Sequence, residues 1–104
     1  MAEIRWTVAA RADLQEIREY IGRDSRVYAA ATVRRITTAV KRLCRFPRLG
    51  RVVPEYEDET LRELIVGNYR VVYRIHGKII GIVAVIHGSR DLPRRLNDEP
   101  WNFG

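Results

Sequence analysis

The chain predicts an α+β domain with the order β-α-α-β-β-β. An N-terminal helical hairpin packs on a mainly antiparallel four-stranded sheet, giving two layers. Three observations predict this. Apolar residues recur at helical spacing twice before Pro47. Residues 61–92 then read as three strands in succession, separated by Gly67-Asn68 and by His76-Gly77-Lys78. At 104 residues the chain is one domain, able to bury roughly two thirds of its unfolded surface in a single modest core. Helices first and a strand meander second is the pattern of segregated α+β layers.

Each element has its own signal. Residues 3–6 alternate polar and apolar, with Ile4 and Trp6 on one face, as a short strand does. Thr7 is a helix N-cap. Ala10, Leu14, Ile17 and Ile21 then share one helical face. Gly22 and Asp24-Ser25 break that helix, and Ser25 caps the next. Its stripe is Ala29, Val33, Ile36, Val40 and Leu43. Phe46-Pro47 ends it, since the residue before a proline is pushed out of the α region. Residues 47–60 form a connection with turn residues Pro47, Gly50 and Pro54 and an acidic cluster, Glu55, Glu57, Asp58 and Glu59.

In the middle meander strand Tyr69, Val71, Tyr73 and Ile75 share one face, and Arg70, Val72 and Arg74 the other. Residues 79–86 are nearly continuously apolar, which predicts a central strand covered on both sides. Gly81 within it predicts a bulge or a close helix contact. With a turn at 76–78, residue i should pair near residue 154 − i, placing position 84 opposite Arg70. The domain is expected to span residues 1–96, and 97–104 to be a polar tail in which Trp101 and Phe103 are exposed unless they dock.

Composition narrows the function classes. Apolar residues make up 46% and charged residues 31% of the chain, a globular rather than a disordered balance. Cys44 is the only cysteine, so no intrachain disulfide forms; this suits a cytoplasmic location, and its place on the apolar side of a helix reads as core. No secretory signal and no membrane span are expected. His76 and His87, the only histidines, lack ligands at metal spacing, so neither metal nor cofactor is expected.

The formal charge of +6 favours an anionic partner, although ordinary solubility also accounts for it. The distribution is more specific. No acidic residue lies between Asp24 and Glu55, an interval that holds eight basic ones. Of these, Arg34, Arg35, Lys41, Arg42 and Arg45 fall away from the apolar stripe and form a basic ridge. Such a ridge suits a phosphate backbone or an acidic, flexible protein segment; a plain solvated helix face has the same pattern. Arg70, His87 and Arg90 should converge at one end of the sheet. Two arginines suit a phosphate, and a histidine moves protons near neutral pH. Alternatively, Arg70 pairs with a carboxylate such as Glu63.

At these residues the chain resembles the RelE/ParE superfamily of type II toxin–antitoxin toxins. The likeness runs through Ile4-Arg5-Trp6-Thr7, Asp13-Leu14, Pro47-Arg48-Leu49-Gly50-Arg51, Leu61-Arg62-Glu63-Leu64, Tyr69-Arg70-Val71-Val72-Tyr73-Arg74 and Val85-Ile86-His87-Gly88-Ser89-Arg90. The resemblance implies a growth-inhibiting, plasmid-stabilising type of toxin held in a hetero-oligomer by a cognate antitoxin. RelE-like members are ribosome-dependent mRNA endonucleases; ParE-like members poison DNA gyrase. Position by position, Arg70 matches the family's phosphate-stabilising arginine and Arg90 its basic residue after the last strand, with Arg62 and Arg74 as further target- or phosphate-binding candidates. A nuclease would use Arg70, His87 and Arg90, with His87 as acid and Glu63 as base. Leu61 and Glu63 stand where RelE has lysines, and Leu96 falls near its catalytic tyrosine. These departures favour a ParE-like gyrase poison over the ribosome and mRNA as targets. A generic nucleic-acid-binding module is the third reading, weakened because Tyr69 and Tyr73 alternate toward the core rather than offering a stacking surface.

Overall fold

The computed structural model describes residues 1–97 and Phe103. The expectations for the rest of the tail, Trp101 included, lie outside the described residues. The chain runs β1 (Glu3–Trp6), α1 (Val8–Gly22), α2 (Arg26–Lys41), a 3-10 turn at Arg42–Cys44, β2 (Arg51–Val52), β3 (Leu61–Val66), β4 (Tyr69–His76), β5 (Ile79–His87) and a second 3-10 turn at Arg94–Asn97. The sheet order is β1-β5-β4-β3-β2. β1 lies parallel to β5, and the other neighbours are antiparallel. The sheet therefore has five strands where four were expected. The added strand, β2, is two residues long, too short to carry a visible alternation, and pairs Arg51 with Glu63 and Val52 with Arg62.

Both helices start at the expected caps. The Thr7 hydroxyl accepts from the Ala10 amide at 3.1 Å, and the Ser25 hydroxyl from the Tyr28 amide at 3.0 Å. Ala10 is buried, with Leu14 and Ile17 packed beside it. On α2, Ala29, Ile36, Val40 and the following Leu43 are buried as expected. Val33 is not: it lies with Leu14 and Thr37 in the cleft between the helices. Thr32 takes the buried place, its hydroxyl satisfied by the Tyr28 carbonyl at 2.9 Å. α2 packs on both α1 and the sheet, so its buried arc is shifted from the stripe.

Two apolar clusters sandwich the sheet. On the helical side, Ile36, Val40 and Leu43 meet Val71, Tyr73, Ile80, Ile82 and Val85. On the other side, Val53, Leu61, Val72, Val83, Ala84 and Leu96 form a second core. Among the described residues the loop between β2 and β3 and the segment after β5, with its 3-10 turn, cover that side, and neither α-helix does. β5 is covered on both faces, in keeping with its continuous apolar run.

The β4–β5 register departs from expectation. His76 still belongs to β4 and pairs with Ile79, so the turn has two residues rather than three. A bulge then slips the ladder between Val72 and Tyr73, which pair with Ala84 and Ile82. Ile86, not Ala84, therefore faces Arg70. Gly81 pairs regularly with Arg5 and Arg74; the extra residue is Val83. Just beyond it, Asp13 of α1 accepts the Val85 amide at 2.9 Å, a side chain satisfying strand backbone at the irregularity. No helix is long and apolar enough to cross a membrane among the described residues.

Candidate functional site

Glu63 is 1% exposed, and its position follows from strand alternation. Leu61 and Glu63 point to the face away from the helices, so the carboxylate sinks beside the second core. A buried carboxylate must be paired, and Glu63 has two guanidinium partners. Arg70 Nε donates to Oε1 at 2.7 Å, and Arg51 Nε to Oε2 at 2.7 Å. Arg70, itself only 9% exposed, turns its two terminal nitrogens to Glu55: Nη1 and Nη2 each donate to one carboxylate oxygen at 3.0 Å. Two cations and two anions thus close into one hydrogen-bonded unit. The Glu55 contact, with Glu63 adding to it against desolvation, raises the Arg70 pKa further. The same Arg70 contact holds the Glu55 carboxyl below its ordinary range, despite some desolvation.

Two more carboxylates of the acidic cluster, Asp58 and Glu59, continue this arrangement. Asp58 accepts from the Thr60 amide and hydroxyl at 2.9 and 2.8 Å and from Arg74 Nη1 at 3.3 Å. Its pKa is lowered, chiefly by the Thr60 contacts. Glu59 accepts from Arg62 Nη2 and from Arg48 Nη1, each at 3.2 Å. The loop crosses the sheet as a strap of carboxylates seated on arginines. It is clipped to the sheet by Val53 N–H donating to the Leu61 carbonyl at 3.0 Å.

Gly50 fixes where the strap begins. Its N–H donates to the Tyr73 hydroxyl at 2.9 Å, and that hydroxyl donates to the Pro47 carbonyl at 2.7 Å. A Cβ on Gly50 would stand 2.5 Å from the Glu63 carbonyl oxygen and 2.8 Å from the Tyr73 ring. Only glycine fits where the loop passes this close. At the opposite end of β3, Gly67 holds the tight turn to β4 at φ +58°.

His87 closes β5 opposite Tyr69, whose ring it meets edge-on at 5.7 Å. The Ser89 amide donates to Nδ1 at 3.2 Å, and the Ser89 hydroxyl lies 2.7 Å from the same nitrogen. A shallow depression of about 310 Å³ is lined by Arg51, Asn68, Tyr69, Arg70, His87 and Ser89, among others. The expected gathering is therefore partial. Arg70 and His87 share this depression. Arg90 is exposed and does not line it; its backbone N–H donates to the His87 carbonyl at 3.0 Å. Arg74 lies at the other end of β4, and Arg62 alternates onto the opposite sheet face, donating to the Gly50 carbonyl at 2.9 Å. Pairing of Arg70 with Glu63, the alternative weighed above, is what the structure has.

Sequence reasoning missed two members of this site. Arg51 and Glu55 were a loop arginine and one acid of a cluster; nothing local marks them as partners of Arg70. The ridge residues Arg34, Arg35, Lys41, Arg42 and Arg45 are all exposed, and no ion pair among the described residues involves them. Arg34, Arg35 and Arg42 rim a groove with Ala31, Thr38, Ala39 and Val66. Among the described residues no group of three His, Cys, Asp or Glu could hold a metal ion. Cys44 is partly buried, its thiol donating to the Ala2 carbonyl.

Comparison with known proteins agrees with this geometry. A solved structure of the chromosomal ParDE TA system from P. aeruginosa superposes with a TM-score of 0.70 at 28% identity, covering 84% of this chain and 96% of that one. Toxin RelE2 of Caulobacter vibrioides is 37% identical over 91 residues, which is 86% of this chain and 99% of that protein. A helical hairpin on this sheet, with these relatives, defines a RelE/ParE superfamily toxin. The profile described as "ParE toxin of type II toxin-antitoxin system, parDE" matches residues 4–92, and the chain belongs to that family.

Proposed function

We propose that this type II toxin arrests growth by poisoning DNA gyrase in the cytoplasm, without catalysing a reaction of its own, until a cognate antitoxin covers it. The observation that carries the reading is the state of Glu63. The carboxylate nearest Arg70 that a nuclease would need as its base is buried, and both its oxygens accept from guanidinium groups. A base must reach the proton it removes, and this one faces two cations. Leu96, near the place of the RelE tyrosine, is 1% exposed within the second core, which adds no stacking surface. The antitoxin's acidic, flexible segment is assigned to the ridge of α2 and the turn after it, whose five cations make no ion pair among the described residues, and to the adjoining edge of the sheet.

Expression of the chain without antitoxin tests this. The expected outcome is growth arrest with an SOS response and trapped gyrase–DNA cleavage complexes, and arrest that persists with His87→Ala. The RelE2 name of one relative and the place of His87 at an open depression beside Arg70 favour the second reading, a ribosome-dependent endonuclease. Codon-periodic cuts in translated mRNA, abolished by His87→Ala, would establish that reading instead.

A further inference from the structure

The two carboxylates on Arg70 differ in kind. Glu63 has no exposed side-chain surface and is also held by Arg51; Glu55 is 48% exposed and sits on the surface loop. Glu63 positions Arg70. Glu55 occupies its outward fork, both terminal nitrogens, in the bidentate geometry that guanidinium offers equally to carboxylate and phosphate. Arg51 stands near enough to act on the Glu55 charge as well. Beside Arg70 and Arg51 opens the depression that ends at His87 and Ser89. A Cβ at Gly88 would come within 3.9 Å of Arg70 Cγ, so the turn after β5 passes close over the arginine stem.

We propose that Glu55 is a built-in competitor for an oxyanion seat centred on Arg70 and flanked by Arg51, and that the acidic loop is a strap which lifts when a phosphate group takes that seat. The inference rests on reading Arg70 as a phosphate ligand and is independent of which target the toxin poisons. Its electrostatics are simple. With Glu55 in place, Arg51 and Arg70 are balanced by Glu55 and Glu63. With Glu55 withdrawn, the unit keeps one net positive charge and an open outward edge, Nη1 wholly and Nη2 shared with Glu63, and a phosphate restores the balance with stronger hydrogen-bond acceptors. The strap is built to be displaced. Its Glu55 end is a half-exposed carboxylate on a buried guanidinium, and water screens the carboxylate side of that pair. Asp58 and Glu59 keep the loop near the sheet through Thr60, Arg74 and Arg62 while Glu55 exchanges. Glu57, at φ +49°, is exposed and makes no side-chain hydrogen bond or ion pair among the described residues, so it serves as the control for charge alone.

The test uses the purified full-length chain. Calorimetry measures binding of inorganic phosphate and of a short single-stranded RNA to wild type, Glu55→Gln, Glu57→Gln and the double variant Glu55→Gln/Arg70→Lys, with thermal melts to confirm folding. Glu55→Gln should bind phosphate roughly tenfold tighter than wild type, the effect of removing one charge-assisted competitor. Glu57→Gln should match wild type, and Arg70→Lys, which keeps a cation on Glu63 but removes the fork, should cancel the gain. A parallel gain with RNA would identify a backbone phosphodiester as the ligand; a gain with inorganic phosphate alone would identify a small phosphate. Equal gains in Glu55→Gln and Glu57→Gln would overturn the strap. A gain that survives Arg70→Lys would overturn Arg70 as the seat.

Discussion

Two arginine-rich surfaces of this toxin differ in what balances their charge. On the sheet, Arg70, Arg74 and Arg62 are each paired with a carboxylate of the loop between β2 and β3, and Arg70 also with buried Glu63. On α2 and the turn after it, five cations stand in solvent with no ion pair among the described residues. Partly buried cations need counter-charges within the fold; exposed ones do not, because water solvates them. The first surface is therefore part of what holds the domain together. The second is free to answer to another molecule. Positive charge in a sequence carries no mark of which kind it is.

The contrast breaks first at Arg70. Arg70→Ala leaves the Glu63 carboxylate buried with one remaining partner, Arg51, whose side chain is 61% exposed. Removing one member of a buried pair costs about 3 kcal/mol or more, and urea unfolding measures it. Replacing both partners, Arg70→Met with Glu63→Leu, should recover most of that loss, since well-packed apolar residues often substitute for a buried ion pair without penalty. A loss under about 1 kcal/mol for the single substitution would place this surface with the ridge, among ordinary exposed charges.

A smaller effect reads the strap alone. Glu55 and Asp58 both have pKa values lowered by folding from ordinary values of 4.5 and 3.8. The unfolded chain therefore takes up protons at higher pH than the folded one. Their contribution is full above about pH 4.5 and drains away as pH falls through the folded values. Both side chains are substantially exposed, so screening keeps the effect modest. Urea midpoints measured between pH 7 and pH 3 should fall less steeply for Glu55→Gln/Asp58→Asn than for wild type. Identical slopes would mean that the strap carboxylates titrate as they do in the unfolded chain.

Much of this fold was legible because its elements are periodic. The stripe through Ala10, Leu14 and Ile17, the capping residues Thr7 and Ser25, and the alternation of β4 all led to elements near their expected bounds. What escaped was non-periodic or non-local. β2 has two residues, and no period exists in two residues. The Val83 bulge hides inside a continuous apolar run, where one extra residue changes nothing visible yet, added to the one-residue shift of the shorter turn, moves the partner of Arg70 from the expected position 84 to Ile86. Val33 and Thr32 exchanged places because the buried arc of α2 depends on two neighbours at once. In the site, Arg70 and His87 could be brought together by strand pairing alone, and they were. The acidic cluster was visible as composition, but its seating on Arg70, Arg74 and Arg62 depends on how residues 53–61 cross the sheet.

The ridge offers the smallest stability effect and the sharpest separation of the two surfaces. Arg34→Ser, Arg35→Ser and Arg42→Ser together remove three charges from exposed positions of α2 and its C-cap. None has a paired carboxylate among the described residues to leave stranded, so unfolding free energy should change by no more than about 0.5 kcal/mol per site, and relief of mutual repulsion among these neighbours offsets part of that. Association with the antitoxin should respond instead. Charges that face a partner across water act mainly on encounter, so the association rate should fall about tenfold at low salt. The gap to wild type should narrow as salt rises and screening removes what the substitutions already took away. Stopped-flow mixing across a salt series reads both quantities. An unchanged rate at low salt would show that the antitoxin docks elsewhere and that these cations serve solubility alone.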